Sequence, residues 1–237
     1  MHRFYLPQDL TLGGSYVLPP DESRHAASAL RLGAGDVVAV FNGLGASVSA
    51  VITQATPLAV AITAKSYLPS NEPATKLALF QGLCKGDKLD WIIQKTTELG
   101  VFAIQPVQFA RSDVKITHET KLERERRIAI SAAKQSGRGV VPEVRAPIGF
   151  NEMLARLASF DKTFVCYENE TAPFPTSIND AESIAVIVGP EGGIDTLEAE
   201  RLKAAGAVSV SLGKRVLRTE TAAIAAVTCV LFARGEL

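Results

Sequence analysis

The chain has 237 residues, 47% of them hydrophobic and 21% charged, a balance that excludes a disordered protein and supplies a sizeable core without disulfide or metal staples. The three cysteines, Cys84, Cys166 and Cys229, stand far apart in no CxxC or Cys/His spacing, which points to reduced thiols. Net charge is zero, yet residues 1–75 sum to −1, 76–145 to +5 and 146–237 to −4, so a basic middle segment is free to face phosphate.

The N-terminus, MHRFYLPQDL, carries charge and proline where a signal peptide needs an apolar run. The longest apolar stretch, Ala222 to Ala233, falls short of the roughly 20 residues of a membrane span. The expectation is a cytoplasmic protein without a membrane partner. Short apolar runs then recur at Arg3–Leu6, Tyr16–Leu18, Val37–Phe41, Ser47–Thr53 and Leu58–Ala64, punctuated by Gly, Pro and Asp. With one helix over Asp21 to Leu32, they predict a small β-barrel or sandwich over residues 1–70, followed by a linker at 68–75.

From residue 76 the rhythm alternates between strand and helix. Strands are predicted at 76–82, 101–107, 163–167, 183–189 and 208–212. Helices are predicted over Asp87–Leu99, stopped by Gly100; over 119–136; over Asp195–Ala205, with Glu198 three residues beyond the cap; and over Thr219–Phe232. The continuous apolar strands suit a parallel sheet covered on both faces, so 76–237 is an α/β domain. The last helix is apolar nearly all round, which requires burial in the core or in a subunit interface.

Ligands of such sheets gather beyond the carboxyl ends of strands. Two ends stand out: VGPEGG at 188–193, and LGKRVLRTETA at 212–222 before the last helix. VGPEGG lacks GK[ST] and is no phosphate cradle, and GLGASV at 43–48 leads into a strand and reads as a hairpin turn. His2, His25 and His118 show no ligand spacing, so no metal is expected, and no GxSxG elbow appears. Either Gly-rich turn alone is an ordinary strand–helix connection; after neighbouring strands, the two together suggest a pocket.

These two loops resemble the RsmE family of 16S ribosomal RNA uridine-N3 methyltransferases, in the SPOUT superfamily. The likeness extends to RFYL at 3–6, HAASALRLGAGD at 25–36, KGDKLDWIIQKTTELGV at 85–101, ARSDVK at 110–115 and AAKQSGR at 132–138. RERR at 124–127 departs from it, since relatives often carry a tryptophan there.

The resemblance implies a PUA-like β-barrel over 1–70 for RNA binding and a SPOUT methyltransferase domain over 76–237, with a mostly parallel sheet and a trefoil knot. It also implies a homodimer acting on 16S rRNA of the small ribosomal subunit, with S-adenosylmethionine as cofactor. The cofactor is expected on Val188, Gly189, Pro190, Glu191, Gly192, Gly193, Leu212, Gly213, Val216, Leu217, Arg218 and Thr219. Arg218 is the favoured catalytic side chain, a fixed charge for the uracil anion, unless it pairs with Glu191 or Glu220 to shape the loop. Glu220 is a candidate base, or simply an acid in the first turn of a helix. Cys166 reads as packing. RNA contacts are expected from Arg3, Arg24, Arg31, Lys85, Lys88, Arg111 and Arg138. A SPOUT enzyme aimed at ribose or transfer RNA, and a catalytically silent RNA-binding assembly factor, stay open as alternatives.

Overall fold

A computed structural model describes residues 1–116 and 120–237; His118 and the expected helix start at residue 119 lie outside the described residues. The chain forms two compact units, one of Met1–Glu72 with Ile130–Val141, the other of Pro73–Ala129 with Pro142–Leu237.

In the first unit, β1 (Arg3–Tyr5), β2 (Ser15–Val17), β3 (Val37–Phe41), β4 (Ser47–Ala55) and β5 (Val60–Tyr67) form one sheet in the order β1-β3-β4-β5-β2. Only the β1–β3 pair is parallel. Alternate residues, among them Val38, Val40, Val48, Ala50, Ile52, Val60 and Ile62, share a core with Phe4 and Leu18. The GLGASV turn joins β3 to β4 as expected, with Gly43 at φ 79° and Gly45 at φ 110°, a region side chains resist.

The predicted 21–32 helix is shorter than its pattern. It runs as α1 (Pro20–Arg24) into a π-helical turn, His25–Ala29, where Leu30 donates to the His25 carbonyl and Leu32 to that of Ala26. Arg31, at φ 55°, takes the left-handed stop usually given to glycine.

The returning segment 130–141 is tied in by buried charge. The Arg138 guanidinium, 4% exposed, donates to Glu72 at 2.9 and 2.6 Å, and the other Glu72 oxygen accepts the N–H groups of Gly139 and Val140. Arg3 donates to the Ser47 hydroxyl and to the Arg138 carbonyl, and Lys134 pairs with Glu22 at 2.6 Å.

The second unit is a wholly parallel sheet of β6 (Lys76–Gly82), β7 (Ala103–Gln108), β8 (Glu143–Val144), β10 (Lys162–Cys166), β11 (Ser183–Val188) and β12 (Val208–Val210), ordered β12-β10-β11-β6-β7-β8, with β9 (Ile148–Gly149) also on β7. Its helices are α2 (Lys88–Leu99), α4 (Phe150–Leu157), α5 (Thr196–Ala204) and α6 (Thr219–Arg234); α3 (Thr120–Ser136) begins in this unit and ends in the first. One face packs Ala78, Phe80, Ala185 and Ile187 against Met153 and Leu157 of α4 and Ala199 and Leu202 of α5. On the other, α6 lies on β6 and β11 and against α2.

Gly100 closes α2 at φ 116°, and Asp195 with Glu198 forms the predicted capping box of α5. The α4 helix lies outside the sequence expectations. It has only two turns, and its buried Phe150, Met153 and Leu157 give a stripe too short to separate from strand patterns. Burial of α6 is one-sided: Ala223, Ala226, Val227, Val230 and Leu231 are fully covered, whereas Phe232 is 68% exposed. Among the described residues, no helix is long and apolar enough to cross a membrane, and no cluster of His, Cys, Asp or Glu is placed to hold a metal ion.

Candidate active site

The parallel strands β10, β11 and β12 bring their carboxyl ends together, and the loops leaving them enclose a cavity of about 450 Å³. Val188, Gly189, Pro190, Glu191, Gly192 and Gly193 line one wall; Leu212, Gly213, Val216, Leu217, Arg218 and Thr219 line the other. All twelve positions expected from the sequence therefore meet in one place. Glu220 does not line the cavity; it stands in the first turn of α6, half-buried, with one carboxylate oxygen buried and without a hydrogen-bond partner among the described residues.

Glycine is required in the first loop by space as well as by backbone. A Cβ on Gly189 would come within 2.7 Å of Ile194, one on Gly192 within 2.7 Å of the Arg111 carbonyl, and one on Gly193, at φ 74°, would run into the Glu168 carboxylate. Behind the loops, the buried Thr219 hydroxyl donates to the Gly189 carbonyl at 2.7 Å and accepts from the Gln81 amide at 2.8 Å. Three segments distant in sequence are thus fastened by one hydroxyl.

Glu191 turns away toward α2. It accepts the Lys85 N–H and the Lys88 ammonium, each at 2.9 Å. Burial works to raise its carboxyl, but these donors outweigh it and hold the group below its ordinary value. Arg218 consequently pairs with neither Glu191 nor Glu220; among the described residues it has no ion-pair partner and is exposed beside Lys214 and Arg215 on the cavity wall. Tyr167 and Glu168, just past β10, also line the cavity. Sequence reasoning missed Glu168 and Gln81, because a carboxylate after one strand and an amide inside another acquire meaning only when three loops converge.

Cys166 lines the cavity and Cys84 lies just beyond β6. Burial pushes both thiols up to about 12; at Cys84 the Glu191 charge adds to it. Both remain protonated near neutrality, so neither offers a thiolate nucleophile.

The basic residues separate by geometry. Arg24 and Arg31 are exposed in the first unit, Arg24 with a loose 3.8 Å contact to Asp21. Lys85 pairs with Asp113 at 2.6 Å, Lys88 with Glu191, and Arg111 with Asp195 at 3.0 Å, each leaving some of the cation accessible. Arg3 and Arg138 instead direct their guanidinium groups into the first unit.

The cavity suits S-adenosylmethionine. Its volume lies in the roughly 300–1,000 Å³ range of small-ligand sites. Its glycine loops leave room for close approach to the backbone, Leu212 and Leu217 add apolar lining, and Glu168 adds a carboxylate acceptor.

A PUA-type sheet unit joined to a parallel α/β unit with this looped cavity defines a two-domain RNA methyltransferase. Residues 70–231 match the family model described as RNA methyltransferase domain, and 18–64 match RNA methyltransferase PUA domain. Ribosomal RNA small subunit methyltransferase E of Bacillus subtilis (strain 168) is 33% identical, with 98% of this chain and 96% of that protein covered. Two solved structures are also similar. One is ribosomal RNA small subunit methyltransferase E from Neisseria gonorrhoeae bound to S-adenosyl methionine, with TM-score 0.91, 34% identity and 99% and 98% of the two chains covered. The other is a methyltransferase from Legionella pneumophila in complex with the cofactor SAM, with TM-score 0.87, 31% identity and 98% and 97% covered. The chain belongs to the ribosomal RNA small subunit methyltransferase E family.

Proposed function

We propose that the protein transfers the methyl group of S-adenosylmethionine to N3 of a uridine in the 16S rRNA of the small ribosomal subunit. The observation that carries this reading is the convergence of VGPEGG and LGKRVLRTETA on one cavity. The cofactor supplies an electrophilic methyl carbon. In this reading the twelve loop positions hold it, and Glu168 accepts from its ribose. Uridine N3 loses its proton and bonds to the methyl carbon as the carbon–sulfur bond breaks. Arg218, with no ion-pair partner among the described residues, stabilises the uracil anion, and Glu220, outside the cavity in the first turn of α6, is the candidate proton acceptor. Protonated Cys84 and Cys166 agree with direct attack by nitrogen, which needs no cysteine adduct.

The same reading assigns RNA binding to a PUA-like domain at 1–70 and methyl transfer to 76–237, including its knotted segment. Arg24, Arg31, Lys85, Lys88 and Arg111 hold phosphates, while Arg3 and Arg138 act on RNA only through the fold of the first unit. The outward strip of α6, with Ile224, Ala225 and Phe232, supports a homodimer. Undermethylated small subunits incubated with labelled cofactor and then digested test the reaction. N3-methyluridine is expected; a 2′-O-methyl nucleoside, or no label, overturns it.

A further inference from the structure

The C-terminal unit holds a second cavity, of about 430 Å³, beyond the carboxyl ends of β6 and β7. Leu83, Leu89, Ile116, Leu122 and Pro147 make its walls apolar, and two carboxylates, Asp90 and Glu125, face into it. Asp90 is engaged by Arg124 at 2.5 Å. Glu125 is different: it is 6% exposed and accepts no hydrogen bond from any described residue. Burial, with Asp90 adding to it, pushes its carboxyl up, as befits an acid that lacks a donor. Its oxygens are not among the fully buried atoms, so a donor in the cavity can reach them. The exposed Lys115 and Lys121 lie on the rim. Lys88 lines the cofactor cavity while its neighbours Asp87 and Leu89 line this one, so the first turn of α2 divides the two.

We propose that this cavity binds a guanine base of the RNA beside the nucleotide to be methylated, an inference that rests on the RNA-methylating reading above. The base lies between the apolar walls, and the Glu125 carboxylate accepts from guanine N1–H and the exocyclic N2 amino group together. Uracil offers one N–H flanked by acceptors, and adenine and cytosine place an acceptor beside their amino group, so only guanine presents two adjacent donors. The rim lysines meet its phosphate.

The test is binding of guanosine, inosine and adenosine 5′-monophosphates with the cofactor cavity saturated by S-adenosylmethionine. The guanine nucleotide should bind about tenfold more tightly than the inosine one, which lacks the N2 amino group, and more tightly than the adenine one. Glu125→Gln should abolish that preference while leaving cofactor affinity and melting temperature unchanged. No saturable binding, or equal binding of the three by the native protein, overturns the proposal whatever the variant does. Methylation of small subunits by the native protein, measured alongside, stands or falls separately: activity without guanine preference removes this pocket and leaves the enzyme.

Discussion

The Thr219 hydroxyl joins the two cavity loops to the central strand through Gly189 and Gln81, so its loss strands buried polar groups. Thr219→Val should cost about 2 kcal/mol of stability, read by chemical denaturation, and weaken cofactor binding roughly tenfold by calorimetry. Unchanged affinity would show the link to be dispensable. Arg218 makes the opposite prediction, since no described carboxylate holds it. Arg218→Ala should lose most turnover while cofactor affinity stays put, and undiminished turnover would remove it from the mechanism. The thiols give a pH dependence. Cys84 and Cys166 have their acid dissociation pushed from an ordinary 9.0 to about 12 in the fold. The unfolded chain therefore sheds protons first, and stability that is complete below pH 9 should decline as the pH climbs toward 12. Urea midpoints at pH 8 and pH 10 check this, and Cys166→Ala should flatten the decline.

At the level of elements, α5 has both halves of its capping box, and the same two residues reach outward: Asp195 holds Arg111, and Glu198 accepts the Ala110 N–H at 2.8 Å. Asp195→Ala should cost about 1 kcal/mol in thermal denaturation, and a loss near zero would mean that Glu198 caps the helix unaided. This helix was legible because a cap, its Glu and a following Gly206 all act within a few residues. The buried strands β6 and β11 were legible for a similar reason, their apolar runs being dictated by burial on both faces. What the sequence hides is burial of charge. Arg138 lies in a basic segment and reads like any surface cation, yet Glu72, far off in the chain, turns it inward. The wall of the cavity beyond β10, β11 and β12 was half legible: glycine-bearing loops announce themselves, whereas Glu168 and Gln81 carry no local pattern.

On the scale of the whole chain, the first unit is discontinuous, since residues 130–141 return to it after much of the second has been laid down. The boundary suggested by composition near residue 70 omits both that segment and Glu72. A fragment of residues 1–70 should therefore fail to give dispersed amide spectra, and a version extended through Glu72 and linked to 130–141 should give them. In the intact chain, Glu72→Ala leaves the Arg138 charge buried without its carboxylate and should destabilise by about 3 kcal/mol, seen as an early transition in melting. A folded 1–70 fragment would refute the dependence. The discontinuity also sets a timetable for biosynthesis. Ribosomes add roughly 5–20 residues each second, so the stretch between Glu72 and Val141 takes about 3–14 s to appear. During that interval the nascent first unit waits incomplete with its Glu72 carboxylate unmatched, and it closes only after β6, α2 and β7 have been made.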